Sequence, residues 1–507
     1  MSKQIRNLGV FLALCYAALF LQVNRLTVFE AQALQDKPEN TRQITRDFSG
    51  PRGDIVSADG VVLAESVPTD DQYLLQRRYP TGDLFGHVTG YFAFQLGTTG
   101  VERSYNGYLN GEDIGFSLDR LGDLFVDRDV VGDVILSLRE DVQQAAREQL
   151  GDQEGSVVAI DPRNGEVLAL WSFPSYDPNL LATHDFAAAE AESTRLSDPA
   201  IGQPILARSY RDNFFPGSTF KVVTSTAGIQ IGGVTADEPV YPSVTEYDPP
   251  SGSPIPNFGG SSCGGNLFQI LQRSCNSSFA EMGVEDVGGE GLVETAEGFG
   301  FNRDIPFDLP RSAQSTIPTE VDGTPLSQNP GVVGQMSIGQ NDVRATPLQM
   351  ALVAAAVANE GNIVGPHVMR EVRDDQGNVV EEYDPEVIAR PMSASTAGTL
   401  REAMMSVVAD GSATRLDDGL DGFDVGGKTG TAQLGTDPPK SHAWIIGFAG
   451  PPGEVPHVAV AVIVEGQNGA SEQTGGQVAA PIAAAVMQRA LAPPDRAEQD
   501  GDSGAGG

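Results

Sequence analysis

SVVAIDPRNGEVLALWS, residues 156–172, consists of two β-branched apolar runs around an Asn-Gly turn, which is typical of a β-hairpin. The same pattern returns near the end of the chain, in HAWIIGFAG (442–450) and HVAVAVIVEG (457–466), and a further strand-like segment holds Lys428. Two strands therefore come early and three come late, with largely helical material between them. The sequence predicts an α/β (α+β) fold, in which one antiparallel five-stranded sheet is built from both ends of a domain and flanked by helices.

The chain divides into a β-rich first part and a longer second part. Residues 46–137 are rich in Gly and Asp with short apolar pieces such as GDIVSADGVVLAES, which indicates a domain of strands and loops. LREDVQQAAREQLG, residues 138–151, predicts the first helix of a second domain that spans 138–492. That domain closes with the Ala-rich helix AAPIAAAVMQRALA, residues 479–492. Residues 493–507 have almost nothing to bury and predict a disordered tail.

One apolar run, LGVFLALCYAALFLQV at residues 8–23, predicts a membrane anchor helix. Two basic residues precede it, which predicts a cytoplasmic tail over 1–7 and an extracytoplasmic remainder. Polar residues 24–45 predict a stalk. The run is short for a membrane span, so a signal peptide cleaved near residues 31–33 is the alternative. We favour the uncleaved single-pass anchor in the plasma membrane, because that cleavage site lies far beyond the apolar run.

The chain is strongly acidic, with a formal net charge of −36 at pH 7. Such a surface repels phosphate groups, so nucleic acid is not an expected partner. No Cys/His spacing suits a metal, and neither a metal site nor a cofactor is predicted. Cys263 and Cys275 are the two cysteines outside the apolar run, and an oxidising compartment favours a disulfide between them. Two buried free thiols are the alternative.

Lysine is rare in this sequence, and one lysine stands three positions after a serine. The chain has five lysines, and FFPGSTFKVV, residues 214–223, places Ser218 and Lys221 behind a Pro-Gly turn. The segment predicts a helix that begins near Ser218, so both side chains lie on one face. A neutral lysine amine can remove the proton of a serine nucleophile. Burial, a second cation and the helix dipole could hold Lys221 neutral, at a cost of roughly 4–5 kcal/mol.

A strand-like segment supplies the second cation. GGKTGTAQL, residues 426–434, contains Lys428 followed by a Thr-Gly-Thr sequence. The hydroxyls of Thr429 and Thr431 are suited to binding a carboxylate, and Gly430 allows a ligand to approach the backbone closely. The segment therefore predicts a binding site for an anionic group beside a charged lysine.

A third motif, Ser274-Cys275-Asn276, offers a hydroxyl that can relay a proton and an amide that can hold a peptide group. Ser327-Gln328-Asn329 has the same pattern. We favour the first, because it lies within the helical middle of the second domain, whereas the other lies among prolines.

These three motifs, in this order and spacing, resemble those of class B penicillin-binding proteins. The resemblance extends over most of the chain: it includes RGDI from Arg52, GVVLA from Gly60, SIGQNDVRATPLQMALVAAAVANEG from Ser337, and HAWIIGFAG. The short anchor, compact first domain and Ser-Cys-Asn variant are similar to the actinobacterial, A-type members of the family. Asn341 departs from the pattern, because relatives often have Gly there. No glycosyltransferase-like region precedes the first domain, so a bifunctional class A enzyme is not expected.

The resemblance implies a penicillin-binding/serine β-lactamase-like transpeptidase domain, preceded by a non-catalytic, dimerisation-like domain. It implies that Ser218 attacks the carbonyl between the two terminal D-alanines of a peptidoglycan stem peptide, while Lys221 accepts its proton. Ser274 and Lys428 then pass a proton to the departing amine, and Asn276 positions the substrate backbone.

The same resemblance implies how the substrate is held and what is made. Backbone N–H groups of Ser218 and Thr431 form an oxyanion hole, and Thr429 and Thr431 bind the terminal carboxylate. An amine from a neighbouring strand takes the acyl group and forms a cross-link. Implied partners are peptidoglycan stem peptides, β-lactams as covalent inhibitors, the membrane and divisome proteins.

Two other classes of function compete with this interpretation. A D,D-carboxypeptidase or a β-lactamase has the same fold and releases the acyl group to water. A catalytically idle β-lactam sensor or divisome scaffold would have no reaction at all. The anchor and extra domain favour the transpeptidase, and the complete serine–lysine–serine–lysine set argues against the idle protein.

Overall fold

Five antiparallel strands form the central sheet of the structure, a computed structural model that describes residues 2–24, 48–113, 131–437, 440–466 and 474–494. In spatial order the strands are Asp424–Gln433, Ser441–Gly450, Val458–Val464, Gly155–Ile160 and Val167–Phe173. All neighbouring pairs are antiparallel. Two strands thus come early in the chain and three come late, which confirms the predicted sheet.

The hairpin between Gly155–Ile160 and Val167–Phe173 turns at the predicted Asn-Gly pair. Gly165 has φ of +83°, a left-handed conformation that glycine adopts without steric cost. Its N–H donates to the carbonyl O of Asp161 over 2.9 Å. A Cβ at Gly165 would also lie 2.2 Å from the carbonyl O of Gly365. Both the turn and the close packing therefore require glycine at this position.

Helices cover both faces of the central sheet. Every side chain of Val458–Val464 is buried, which requires cover on both sides because successive side chains point to opposite faces. Glu140–Leu150 and Gly475–Leu491 pack against each other and against the sheet, and Pro347–Ala358 and Ala394–Asp410 form a second pair. The predicted first and last helices of this region are therefore confirmed.

A second sheet, of six strands, connects the first part of the chain with the later region. Its order is Val379–Glu382, Met369–Arg373, Asp133–Leu136, Ile55–Val56, Val62–Pro68 and Leu75–Arg78. Asp133–Leu136 pairs in parallel with Ile55–Val56 and antiparallel with Met369–Arg373. The first part is β-rich as expected, but two strands of its sheet come from beyond residue 138. The domain limits stay a prediction.

Arg52, Arg77 and Glu102 form a buried ion cluster in the first part of the chain. The Nε atoms of Arg52 and Arg77 each donate to a different oxygen of Glu102, over 2.6 Å in both cases. All three side chains are almost inaccessible to solvent. Burial alone would raise the pKa of Glu102, but the two guanidinium groups lower that pKa below its ordinary value. The carboxylate therefore stays charged between its two partners.

The remaining regular elements are short. Apart from Ser2–Asn24, the other α-helices among the described residues are Gly86–Thr89, Gly100–Ser104, Asn106–Leu109, Phe186–Leu196, Arg208–Arg211, Lys221–Gln230, Leu267–Arg273, Asn276–Glu281, Gly288–Gly298 and Pro330–Met336. Two-stranded pairs are Phe92–Ala93 with Gly97–Thr98, Tyr241–Val244 with Cys263–Gly265, Glu246–Tyr247 with Ile255–Pro256, Glu320–Val321 with Thr324–Pro325, and Ile363–Val364 with Val387–Ala389.

The apolar run near the start lies within one helix, Ser2–Asn24. Its side chains from Leu8 to Phe20 are exposed. Among the residues that the structure describes, no helix combines the length and the apolar character needed to cross a membrane. The predicted stalk beyond Asn24, and the predicted tail from residue 495 onward, lie outside the described residues.

Candidate active site

Ser218 lies in a 3₁₀ turn, Gly217–Phe220, which leads directly into the helix Lys221–Gln230. Gly217 has φ of +53°, and a Cβ at this position would lie 3.0 Å from the carbonyl O of Thr431. Glycine thus lets the turn approach the outermost strand of the central sheet. Ser218 is partly buried and lines a cleft of about 840 Å³. The serine therefore stands at the start of a helix, as the sequence predicts, and it also faces the cleft.

Lys221 is fully buried, and oxygen atoms surround its amine. Nζ donates to the carbonyl O of Ser274 over 2.8 Å and to Oδ1 of Asn276 over 2.7 Å, and lies 3.2 Å from Oγ of Ser274. Burial lowers the pKa of Lys221 well below its ordinary value, and the nearby charge of Lys428 lowers it further. Burial and a second cation are two of the three forces predicted to be able to hold this amine neutral.

Lys428 reaches the same point from the strand Asp424–Gln433. Its Nζ lies 2.8 Å from Oγ of Ser274 and 2.9 Å from the carbonyl O of Thr429. Burial lowers the pKa of Lys428 to about 7. Near neutral pH this amine is therefore divided between its charged and neutral forms, whereas the sequence analysis treats it simply as a cation.

Ser274 connects the two lysines. It ends the helix Leu267–Arg273 with φ of +60° and ψ of +45°, a left-handed conformation. For a residue other than glycine this conformation costs about 1–2 kcal/mol. It directs the carbonyl and the hydroxyl of one residue to Lys221, while the hydroxyl also contacts Lys428. Backbone strain of this kind is typical of functional sites.

Asn276 and the disulfide hold this segment in place. Oδ1 of Asn276 accepts from Lys221, and Nδ2 donates to the carbonyl O of Pro256 over 3.0 Å. Cys275 is bridged to Cys263, with their Cα atoms 5.5 Å apart. The structure therefore contains the predicted disulfide, directly between the two functional residues of the Ser-Cys-Asn motif.

Thr429 and Thr431 line the cleft together with Ser218. At Gly430, a Cβ would lie within 3.0 Å of the carbonyl O of Pro216 and of the side chains of Thr219 and Trp444. The close approach that glycine permits here is thus made by the Ser218 turn, whereas the sequence alone predicts the approach of a ligand. Binding of a ligand by Gly430 stays a prediction.

The cleft also contains Ser412, which no sequence motif indicates. Oγ of Ser412 lies 2.6 Å from Oγ1 of Thr429, which the motif analysis singled out. Ser412 follows the helix Ala394–Asp410 in the run Gly-Ser-Ala, and such small residues after a helix carry no distinctive signal.

Asn341 lines the same cleft. It has φ of +52°, a left-handed conformation that asparagine adopts more readily than most residues other than glycine. Ser327-Gln328-Asn329, the rejected copy of the motif, precedes the helix Pro330–Met336 and does not line the cleft.

Comparison with known proteins identifies two matching families. Residues 155–488 match the family described as "Penicillin binding protein transpeptidase domain". Residues 52–135 match the "Penicillin binding protein A dimerisation domain". The first match alone covers more than half of the chain.

Individual relatives are similar over nearly the whole length. Peptidoglycan D,D-transpeptidase PbpA of Mycolicibacterium smegmatis is 37% identical, over 97% of this chain and 99% of the relative. PbpA of Mycobacterium tuberculosis is 34% identical, over 97% of this chain and 99% of the relative. A solved structure of penicillin-binding protein A from M. tuberculosis, a ceftriaxone acyl-enzyme complex, superposes with a TM-score of 0.79 at 34% identity and covers 88% of this chain and 100% of that one. The predicted resemblance is confirmed, and the chain belongs to the penicillin-binding protein transpeptidase family.

Proposed function

We propose that the chain is a serine-type peptidoglycan D,D-transpeptidase, which cross-links stem peptides in cell-wall synthesis through an acyl-enzyme on Ser218. The observation that carries the proposal is the position of one hydroxyl, Oγ of Ser274, between the amines of Lys221 and Lys428, at a cleft that Ser218 also lines. The relatives named D,D-transpeptidases and the similar acyl-enzyme structure support it.

Lys221 is the proposed general base. A neutral amine has two N–H donors and one lone pair. The carbonyl O of Ser274 and Oδ1 of Asn276 can only accept hydrogen bonds, so together they use both donors. The lone pair is then available for a hydroxyl proton, and Ser218 is three positions away, close to one helical turn. We infer that this lone pair takes the proton when Oγ of Ser218 attacks the substrate carbonyl carbon.

Ser274 is the proposed carrier of that proton to the leaving group. When the bond between the two D-alanines breaks, the new amine takes a proton from Oγ of Ser274, and Lys221 replaces it. The distance of 3.2 Å between that Oγ and Nζ of Lys221 suits this transfer. Lys428, when protonated, donates to the same oxygen over 2.8 Å and makes the hydroxyl more acidic.

The outermost strand of the central sheet is the proposed binding edge for the substrate. Among the described strands, Asp424–Gln433 has a sheet neighbour on one side only, so an extended peptide can add to its other side. We infer that the backbone N–H groups of Ser218 and Thr431 hold the oxyanion, and that the hydroxyls of Thr429 and Thr431 bind the terminal carboxylate. One Nδ2 proton of Asn276 is used by Pro256, and the second is left for the substrate backbone.

Covalent labelling tests the nucleophile. Ser218→Ala should abolish labelling by a fluorescent penicillin, because it removes the hydroxyl on which the proposed acyl-enzyme forms. Its thermal stability should stay close to wild type, since loss of a hydroxyl at a helix start costs about 1 kcal/mol. Ser395→Ala removes an exposed hydroxyl at the start of another helix and should label normally. Wild-type labelling of Ser218→Ala would place the nucleophile elsewhere.

Product analysis separates the transpeptidase from its rivals. With a stem peptide and an acceptor amine, we expect a cross-linked product. Release of D-alanine with hydrolysis alone would identify a D,D-carboxypeptidase, rapid release of opened penicillin would identify a β-lactamase, and the absence of label and product would indicate a sensor or scaffold.

We further propose that the apolar run of residues 8–23 holds the protein at the plasma membrane, with the cleft on the extracytoplasmic side. The exposed apolar side chains of the helix Ser2–Asn24 support this. Cell fractionation should find the full chain with membranes and a chain without residues 2–24 in the soluble fraction. Recovery of the full chain as a soluble protein would contradict the proposal. Interaction with divisome proteins stays a prediction.

A further inference from the structure

A second cavity, of about 240 Å³, shares no lining residue with the active-site cleft. Its walls come from both parts of the chain. Tyr91 and Arg103 belong to the first part, and Tyr176, Arg211 and Arg311 to the second. The reaction proposed above uses none of these residues, so the cavity needs an explanation of its own. We call it the arginine cavity.

Its three arginines have no protein counter-charge. Within the described residues, the guanidinium groups of Arg103, Arg211 and Arg311 form neither an ion pair nor a hydrogen bond. Arg208, on the same helix as Arg211, does have a carboxylate partner: its Nε donates to Glu465 over 2.8 Å. In a chain with a net charge of −36, carboxylates are abundant. Arg103 and Arg311 are exposed and Arg211 is half-buried, so all three guanidinium groups are accessible to an anionic ligand that enters the cavity.

Two buried polar groups in the cavity wall point the same way. Tyr91 is only 7% exposed, and its hydroxyl has no hydrogen-bond partner among the residues that the structure describes. Nε2 of His87 lies 2.8 Å from the carbonyl O of Pro204. That carbonyl can only accept, so Nε2 carries the proton and Nδ1 is left as an acceptor. The hydroxyl of Tyr91 and Nδ1 of His87 can therefore serve as a donor and an acceptor for a ligand in the cavity.

We propose that the arginine cavity binds the carboxylate end of a peptide, such as the terminal D-alanine of a stem peptide that is not in the active site. Guanidinium groups bind carboxylates in a bidentate geometry, the hydroxyl of Tyr91 can donate to the same carboxylate, and Nδ1 of His87 can accept the peptide N–H next to it. The cavity is smaller than the roughly 300–1,000 Å³ of drug-sized sites, which suits a short peptide end.

The choice of ligand rests on the proposed function, because peptidoglycan supplies such peptide ends. The existence of an anion site does not rest on it, since the unpaired groups are independent of Ser218. Because the walls come from both parts of the chain, a bound peptide would contact the dimerisation-like region and the transpeptidase region together.

Calorimetric titration of the full-length protein tests the proposal. The protein is first acylated with penicillin, which fills the cleft and is checked by mass spectrometry, and is then titrated with N-acetyl-D-alanyl-D-alanine. We expect saturable binding that weakens by at least about tenfold when Arg211→Gln and Arg311→Gln are combined, because charge-assisted hydrogen bonds are lost. The same peptide with a C-terminal amide should bind at least about tenfold more weakly than the acid.

Arg390→Gln is the matched control, since Arg390 is exposed and lines neither cavity; its affinity should equal that of wild type. Circular dichroism verifies the fold of each variant, and Tyr91→Phe, which removes only a hydroxyl, provides a milder second variant with a smaller loss. Equal affinities for wild type and the double arginine variant, or for acid and amide peptides, would overturn the proposal. Failure of penicillin to acylate the protein would count against the proposed function and not against the arginine cavity. The arginine variants test whether the peptide binds in that cavity, whether or not the cleft is acylated.

Discussion

The molecule buries two pairs of basic side chains, and it stabilises them in opposite ways. In the ion cluster of the first part, Arg52 and Arg77 contact the two oxygens of Glu102, so opposite charges attract at short distance. In the active site, the described contacts of Lys221 and Lys428 are to hydroxyl, amide and carbonyl oxygens, and none is to a carboxylate.

The difference shows how one protein separates stability from reactivity. Arginine keeps its proton in any protein environment, so burial obliges the chain to supply a carboxylate. A buried lysine without a counter-charge gives up its proton more easily, and the pKa of both active-site lysines is lowered by burial. The ion cluster is therefore suited to holding strands together, whereas the lysine pair is suited to moving protons.

Replacing a lysine of the active-site pair by arginine should have the largest effect, and the quantity affected is the rate of acylation. Lys221→Arg places a permanently protonated group where a base is required, and the second-order rate of penicillin acylation should fall by about 10²–10⁴. Lys428→Arg keeps a positive charge and changes only the geometry, so it should retain a measurable fraction of the wild-type rate. Stopped-flow acylation measures both.

Circular dichroism controls for misfolding in both variants. If Lys221→Arg acylates as fast as Lys428→Arg, the assignment of Lys221 as the base is wrong, and the contrast between the two lysines disappears.

Removing the counter-charge of the ion cluster should affect stability. Glu102→Gln leaves two buried guanidinium groups without an anion, and the free energy of unfolding should fall by about 3–5 kcal/mol. Urea denaturation measures it. Glu65→Gln is the matched control, because Glu65 pairs with Arg78 at a much more exposed position, and such surface pairs contribute about 0–1 kcal/mol. Equal losses for the two variants would show that burial of the cluster does not matter.

The disulfide beside Ser274 should contribute somewhat less to the free energy of unfolding than the ion cluster does. Replacing Cys263 and Cys275 together by serine should lower the free energy of unfolding by about 3 kcal/mol, the amount expected for a closed loop of this size. Acylation should also slow, since the bridge braces the segment that contacts both lysines. Cys15→Ser, at an exposed free cysteine, should change neither quantity. Free alkylation of both thiols in the native protein would contradict the bridge.

The smallest expected effect of a substitution is a shift in the pH dependence of acylation. On the acid side, protonation of Lys221 removes the base, so the rate should fall by about tenfold per pH unit below its lowered pKa. On the alkaline side, Lys428 loses its charge above a pKa of about 7, and attraction for the penicillin carboxylate weakens. Lys428→Arg stays charged, so its alkaline decline should move to higher pH. An unchanged alkaline decline would show that another group controls it.

Much of the site could be predicted because its parts are short local patterns. The spacing of Ser218 and Lys221 follows from helix geometry, and the rarity of lysine drew attention to Lys428. What could not be predicted depends on contacts between distant segments. The left-handed backbone of Ser274 and the approach of Ser412 to Thr429 result from packing, for which the sequence carries no local signal.

The two sheets also differ in how far their strands could be predicted from the sequence. The central sheet is made of long β-branched runs, so its strands could be recognised one by one. Met369–Arg373 and Val379–Glu382 are short and half charged, and Asp133–Leu136 finds its partner far along the chain. Neither the strands nor their pairing could be predicted from such segments, and the connection of the first part with the later region was missed for that reason.

That shared sheet has a consequence for how the chain is made. As the chain is synthesised, Ile55–Val56 and Asp133–Leu136 emerge well before Met369–Arg373, which forms the next strand. Until that strand arrives, the incomplete sheet presents an open edge, and open edges invite pairing with other chains. A chaperone that shields this edge during synthesis would protect a vulnerable intermediate. An expression fragment that ends within the first part would carry the same open edge permanently.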